Sequence, residues 1–370
     1  MHLQYNNKVN KERILDISEV IPLEPTNKNL LLGGDNLLAL RKLLKSGYAG
    51  KVDLVYIDPP FSTKKIFKTS SNRTRTISSS DNDIIAYSDN LTGEEYLEFL
   101  RQRLILIREL LSEQGSIYLH IDYKIGHYVK IIMDEVFGIN NFRNDITRIK
   151  CNPKNFNRRA YGNIKDLILF YSKTKNIIWN SPVEAICEKD KLNRFKKISK
   201  NGRRYTTIPI HAPGETKNGD TGKPWREIPP PPGRHWRISP EELDRLDKEG
   251  LIEWSKTGNP RKIVFSEEVI SKKKQDIWSF KDSPYPSYPT EKNIDMLKFI
   301  IEASSNIDSI VLDCFCGGGN TLCAAQVLNR RWIGIDSSVQ AINITLTKIT
   351  NLTRNKTLFE NNTDFVFISL

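Results

Sequence analysis

An aspartate, two prolines and a phenylalanine, Asp58-Pro59-Pro60-Phe61, close the apolar run Val52 to Ile57. Residues of these types in this order suit one task, the holding of a flat aromatic amine. Asp58 and the Pro59 carbonyl can accept its two N–H bonds, and Phe61 can stack on its face. Proline supplies no ladder N–H, so a strand through Val52 to Ile57 has to stop at this point. The carboxyl end of a parallel strand is where open α/β sheets place their ligands.

A second group lies far downstream. Ser309 to Thr321 reads as strand, glycine-rich turn and helix start, and contains Asp313, Phe315, Gly317 and Gly319. A helix over Thr321 to Asn329 and a strand over Arg331 to Ile335 follow, ending in Asp336. That places an acid about 20 residues beyond the turn, the spacing at which a carboxylate reaches ribose hydroxyls. Glycines let a backbone approach a ligand with no Cβ in the way. The turn lacks the full dinucleotide pattern, which makes NAD a poor fit. Upstream, Tyr288-Pro289-Thr290-Glu291-Lys292 leads into an amphipathic helix, Ile294 to Ala303. Near the start, Gly33-Gly34-Asp35 opens a helix running to about Leu44, where Asp35 serves as N-cap, as ligand contact, or as both.

Asp58 to Phe61 resembles the catalytic motif of the amino-methyltransferases, which methylate exocyclic amines of DNA bases. Asp313, Phe315, Gly317 and Gly319 resemble the turn that binds S-adenosylmethionine in class I methyltransferases. The Thr290 to Lys292 segment and Gly34-Asp35 resemble two further elements of the same family. Catalytic motif first and cofactor motif last is the order of the β class, and the whole is most similar to Mod-type adenine methyltransferases. The resemblance implies a doubly wound, mostly parallel and circularly permuted α/β sheet with an inserted target-recognition domain. It further implies S-adenosylmethionine as cofactor, with Asp35, Thr290, Lys292, Asp313, Phe315, Gly317, Gly319 and Asp336 around it. Its substrate is double-stranded DNA, and a restriction (nuclease) subunit and a second copy of the chain are the protein partners it admits. Two departures stand out: Asn320 where the family has Gly, Thr or Ser, and Ser62-Thr63-Lys64 where Asn-Thr-Gly is common.

The target in this family is an adenine N6 amine or a cytosine N4 amine. Cytosine-N4 members mostly carry Ser in place of the motif's acid, so Asp58 implies adenine. Carbon-5 cytosine chemistry needs a nucleophilic cysteine, generally in a Pro-Cys pair, and the chain has no such dipeptide. Methylation of RNA or of a protein glutamine amide, and a DNA-binding subunit without activity, are the competing classes.

Composition agrees with a polyanionic partner. The 370 residues include 56 Lys and Arg against 44 Asp and Glu, a formal net charge of +12, and the pI is about 9.3. Basic clusters run from Lys64 to Arg75, Arg143 to Arg159, Lys196 to Arg204 and Lys272 to Lys274. Such runs are either solvated faces or, beside a DNA-modifying motif, phosphate contacts. The five cysteines, with no disulfide-framework or zinc spacing, read as reduced core thiols of a cytoplasmic protein, and no metal is expected. No secretory core opens the chain, and no run approaches the ~18 apolar residues of a membrane span.

Four regions follow from texture: a polar N-terminal arm, 1–28; a catalytic part, 29–179; a recognition insert, 180–280; and a cofactor part, 281–370. Ser62 to Asn90 is rich in Ser, Thr, Asn and Lys, a long loop expected to act as a lid over DNA. In the insert, Ser239 with Glu242 caps a short helix from Pro240 to Glu249. Arg226, Arg234 and Arg237, with Arg143, Arg158 and Arg159 upstream, are the expected DNA contacts. Trp225 and Trp236 belong either to base recognition or to the core of a small module.

Overall fold

The computed structural model describes residues 2–60, 66–69, 84–88, 93–153, 157, 159–283, 286, 288, 291–354 and 365–370, with backbone alone for 66–69, 84–88 and 354. Phe61, Thr290 and Arg158 lie outside the described residues, as does most of the Ser62 to Asn90 segment. The chain forms two compact units, one of residues 1–182 with 275–370 and one of residues 183–274.

Among the described residues of the larger unit, nine strands form one sheet. In chain order they are β1 (Asn29–Gly33), β2 (Val52–Ile57), β3 (Leu111–Ile121), β4 (Phe142–Ile149), β5 (Lys165–Ser172), β6 (Ile277–Trp278), β7 (Ile310–Asp313), β8 (Arg331–Asp336) and β9 (Phe365–Ser369). They lie in the order β6-β4-β5-β3-β2-β7-β8-β1-β9. Every pairing is parallel except the two made by β5. The sheet is therefore the mostly parallel α/β arrangement that the strand–helix alternation implies.

Helices cover both faces. On one lie α1 (Lys11–Leu15), α2 (Asn36–Leu43), α3 (Gly93–Leu110) and α4 (Gly126–Phe137); on the other lie α5 (Ile294–Ser304), α6 (Asn320–Val327) and α7 (Val339–Arg354). Because side chains alternate along a strand, Val55, Ile57, Leu312 and Ile333 pack toward α2 and α3. Their neighbours Leu54, Tyr56, Val311 and Trp332 pack toward α5 and α6. Burial on both faces explains why these strands read as unbroken apolar runs.

The N-terminal arm is docked: Ile14 is buried, the Tyr5 hydroxyl donates to Glu98 at 2.6 Å, and Lys8 pairs with Glu135 at 2.8 Å. Two expectations need correction. Within the Ser62 to Asn90 segment, residues 66–69 and 84–88 pair as an antiparallel hairpin; the short apolar groups Ile66-Phe67 and Ile84-Ile85 have strand propensity. Cys314, Cys316 and Cys323 are buried, but Cys151 is half-buried and Cys187 exposed, so two of the thiols are not in the core.

The smaller unit carries a four-stranded antiparallel sheet, Ile252–Trp254, Pro260–Phe265, Arg204–Pro209 and Lys197–Ile198 in that order. Its helix, Pro240–Lys248, is capped by Ser239. Trp225 and Trp236 are buried with Ile210 and Leu243 and form its core. Their indole N–H groups donate to Asp244 and to the Lys223 carbonyl. Among the described residues, no helix is long and apolar enough to cross a membrane.

Candidate active site

Four adjacent parallel strands, β2, β7, β8 and β1, bring the sequence motifs to one sheet edge. Asp58 follows β2, Asp313 ends β7, Asp336 ends β8, and Asp35 stands two residues past β1. Val55 is the register partner of Leu312, so the first and last motifs of the chain meet across a single strand pair. Asp35, Asp58, Asp313, Phe315, Gly317 and Asp336 line one open cavity of about 230 Å³. The crevice outside the carboxyl ends of such strands is the general ligand position of this architecture.

Prolines 59 and 60 end β2 and leave the Asp58 side chain at the cavity. Its Oδ2 accepts from Lys292 Nζ at 2.7 Å, with the two side chains 13% and 10% exposed respectively. Its Oδ1 is buried and has no hydrogen-bond partner among the described residues. A buried acceptor left open costs ~1–3 kcal/mol unless something arrives to donate to it. Pro60 also lines the cavity, and Pro59 is buried.

The glycine-rich turn is held from within. Asp336 Oδ2 accepts from the Gly317 amide at 2.8 Å and Oδ1 accepts from the Ser338 amide at 2.9 Å. Gly317 and Gly319 have φ of 50° and 77°, a region that favours glycine. Thr345 donates to the Gly317 carbonyl at 2.9 Å and presses so close to Gly319 that a Cβ there would lie 2.7 Å from it. Asp313 accepts from the Phe315 amide at 3.0 Å. Burial raises its carboxyl to about 7, against the hydrogen bonds from Thr321 and Phe315. Burial likewise raises Asp336.

Asp35 is both N-cap and cavity wall: it accepts from the Leu38 amide at 3.0 Å, and Arg103 lies 3.3 Å from its second oxygen. Arg103 escaped the sequence reading. Its guanidinium sits 3.5 Å over the Phe99 ring and donates to Asn36, whose amide in turn donates to the Cys314 carbonyl. Burial lowers it to about 10, with Asp35 opposing the shift. The available signal was an arginine within the apolar stripe Tyr96, Leu100, Leu104, Ile107 of α3.

A second group missed in the sequence stands behind Asp58. Tyr56 lines the cavity, and its hydroxyl meets His120 Nδ1 at 2.9 Å. His120 Nε2 is 3.2 Å from Asp166, which also accepts from Lys150 at 2.6 Å. Burial, then the charge of Lys292, lowers the His120 pKa and favours neutral imidazole. Burial raises Asp166, but the hydrogen bonds from His120 and Lys150 outweigh it and hold it well below the usual carboxylate range. With Nε2–H donating to the carboxylate, Nδ1 accepts and the Tyr56 hydroxyl donates.

The expected DNA contacts are scattered. Arg143 donates to Ser172 and to the Thr174 carbonyl. Arg159 is exposed. In the smaller unit Arg226 pairs with Asp244 and Asp247, Arg234 lies 3.3 Å from His211 Nδ1, and Arg237 donates to the His211 carbonyl. Much of the basic sequence is already matched: Lys272 and Lys274 pair with Glu184, Arg203 with Glu267, and Arg148 is wholly buried beside Asp166 and Asp282.

The cavity suits a cationic, partly aromatic ligand. Five acidic side chains, Asp35, Asp58, Glu291, Asp313 and Asp336, outnumber two cationic ones, Arg103 and Lys292, and the rings of Phe99, Phe315 and Tyr288 and the turn at Gly317 form the rest of its wall. A sulfonium nucleoside has that combination of charge, ring and hydroxyls, so the residues present fit S-adenosylmethionine.

Residues 52–347 match the family model described as DNA methylase, of N6/N4 type. The type II methyltransferase M.EcaI of Enterobacter cloacae is 44% identical over 319 residues, which is 85% of this chain and 67% of M.EcaI. The EcoPI Mod subunit of Escherichia phage P1, of a type III restriction-modification enzyme, is 26% identical over 82% of this chain and 56% of its own length. The chain thus spans about half the length of the Mod subunits it matches. Among solved structures, the M1.HpyAVI–SAM complex superposes with a TM-score of 0.45 at 16% identity, over 86% of this chain and 99% of that one.

Proposed function

The chain belongs to the N6/N4 DNA methylase family, and from that premise we propose that it transfers a methyl group from S-adenosylmethionine to the N6 amine of an adenine flipped out of duplex DNA. The observation that carries this reading is the Asp58 carboxylate in the wall of the cofactor cavity, one oxygen of which is buried and without a donor among the described residues. An exocyclic amine is a poor nucleophile because its lone pair is spread into the ring. Asp58 Oδ1 and the Pro59 carbonyl accept its two N–H bonds, which concentrates the lone pair on nitrogen and aims it into the cavity. Phe61 stacks on the base. The bound cofactor supplies an electrophilic methyl on a sulfonium, and Asp313 and Asp336 offer acceptor oxygens along the wall of the cavity that takes it. Catalysis on these terms is positioning and electrostatics, with no covalent enzyme intermediate. The methylated amine then sheds its extra proton to Asp58 or to solvent.

The target amine is out of reach inside a duplex, so the base leaves the stack. Residues 183–274 carry the recognition of sequence, and Asp58, in the place where cytosine-N4 enzymes mostly have Ser, supports adenine. The relationship to Mod subunits supports a nuclease subunit as partner. The test is transfer of labelled methyl from the cofactor to duplex DNA, followed by nucleoside analysis. N6-methyladenine is the expected product. N4-methylcytosine would move the target to the other amine with the same geometry, and unlabelled DNA would refute the activity.

A further inference from the structure

The resemblance assigns Lys292 to the cofactor, yet its ammonium lies 2.7 Å from Asp58 Oδ2. That contact divides the carboxylate. One oxygen is fixed by a cation, and the other, buried and without a partner among the described residues, is the acceptor left for a substrate N–H. A carboxylate tied at a single oxygen still rotates about its Cα–Cβ bond unless the tying group is itself fixed. Lys292 is fixed through its main chain. Its carbonyl accepts from Asn320 Nδ2 at 2.8 Å, and Asn320 Oδ1 accepts from Lys348 Nζ at 2.9 Å. Lys348 also pairs with Glu291, the residue before Lys292. Asn320 thereby clamps the 291–292 segment between the start of α6 and the side of α7. A glycine at 320 has no group to make either bond, and a Ser or Thr hydroxyl is shorter than the amide that spans the two partners here.

We propose that Lys292 is the positioning residue of the catalytic carboxylate, and that Asn320 acts through it by fixing the Lys292 main chain. The proposal rests on the methyltransferase reading, because a free Asp58 oxygen matters only if an amine comes to it. It predicts a division of labour: Lys292 governs how fast a bound base reacts, and the Asp313 to Asp336 half governs how tightly the cofactor is held.

The experiment measures single-turnover methylation and calorimetric cofactor affinity for wild type, Lys292→Met, Lys292→Arg, Asn320→Ala and the double variant Lys292→Met/Asn320→Ala. Displacement of a reacting group by about 1 Å costs on the order of 10²-fold in rate, so Lys292→Met should lose about 10²-fold and Asn320→Ala about tenfold. Affinity for the cofactor should stay within about threefold throughout, and Lys292→Arg should recover much of the rate. Adding Asn320→Ala to Lys292→Met should change the rate by less than about twofold, since residues acting in one chain are non-additive. A general weakening of the fold would instead add to the first loss. Should Lys292→Met not fold, Asn320→Ala and Lys292→Arg carry the same comparison without removing the charge. An active wild type whose Lys292→Met variant keeps its rate, or keeps it while cofactor affinity falls, overturns the proposal alone. A wild type that methylates nothing removes the function and the proposal together.

Discussion

Alanine at Gly319 tests whether the cofactor turn is set by backbone conformation alone or also by the helix packed against it. Gly319 has φ of 77°, and a Cβ built there lies 2.7 Å from both Cγ2 and Oγ1 of Thr345. Thr345 cannot swing aside: it is fully buried, β-branched, and its hydroxyl is committed to the Gly317 carbonyl. Gly50 offers the control, with φ of 69° and nothing within 4 Å of the place a Cβ would take. The left-handed conformation costs an L-residue about 1–2 kcal/mol, and both variants incur it. Overpacking of a close-packed interior adds about 1–3 kcal/mol, and only Gly319→Ala incurs that. Expected losses are therefore about 1–2 kcal/mol for Gly50→Ala and about 2–5 kcal/mol for Gly319→Ala. Urea denaturation at neutral pH measures both. Adding Thr345→Ser to Gly319→Ala removes the methyl that clashes and should return part of the difference. Equal destabilisation at the two glycines would mean that Thr345 yields and that the turn is not braced by α7.

Three further outcomes are expected. Asp336→Ala removes acceptors for the Gly317 and Ser338 amides and the proposed ribose contact, and should weaken cofactor binding by about 1.5–3 kcal/mol; unchanged calorimetric affinity would place the ribose acid elsewhere. Asp313 is raised from 3.8 to about 7 in the folded protein, so the folded state binds more protons than the unfolded between those values, and stability falls as pH rises through the window. Denaturation from pH 4 to 8 should show wild type losing up to roughly 4 kcal/mol relative to Asp313→Asn, and parallel curves would refute the shift. Exchange of residues 183–274 for those of a relative with another site should change the methylated sequence in cells; an active chimera that keeps the original target would move recognition into the larger unit.

Much of the site was legible because each motif ends a strand. Pro59 and Pro60 mark the end of β2, and the glycines after Asp313 mark the end of β7, so both ligand-facing positions follow from local chemistry. Asp35 follows from the Gly-Gly before it and the helix after it. What remained hidden was pairing between distant segments. Nothing local says that the Lys292 ammonium turns to Asp58, that Arg103 reaches across to Asn36, or that His120 takes the Tyr56 hydroxyl, because each bond joins different strands or helices. The placement of the basic residues was hidden in a related way. Arg148 and Arg143 belong to a basic run in sequence, but their partners Asp166, Asp282 and Ser172 come from other segments and draw them inward. Trp225 and Trp236 are core in the smaller unit, because so small a unit draws on large side chains to bury enough apolar surface.

The pairing of β2 with β7 also sets a clock on biosynthesis. β2 is complete early, and β3 follows soon enough to cover one of its edges, but β7 emerges about 250 residues after β2. At ~5–20 residues per second that is a wait on the order of 10–50 s. Throughout it the nascent chain carries an open strand edge of Val, Leu, Val, Tyr and Ile interrupted by the single charge of Asp53, a composition prone to pair with a stranger. Asp58, too, has no Lys292 until nearly the whole chain has been made. Closure of the sheet and completion of the Asp58 pair both join segments far apart in the chain, and contacts of that kind slow folding.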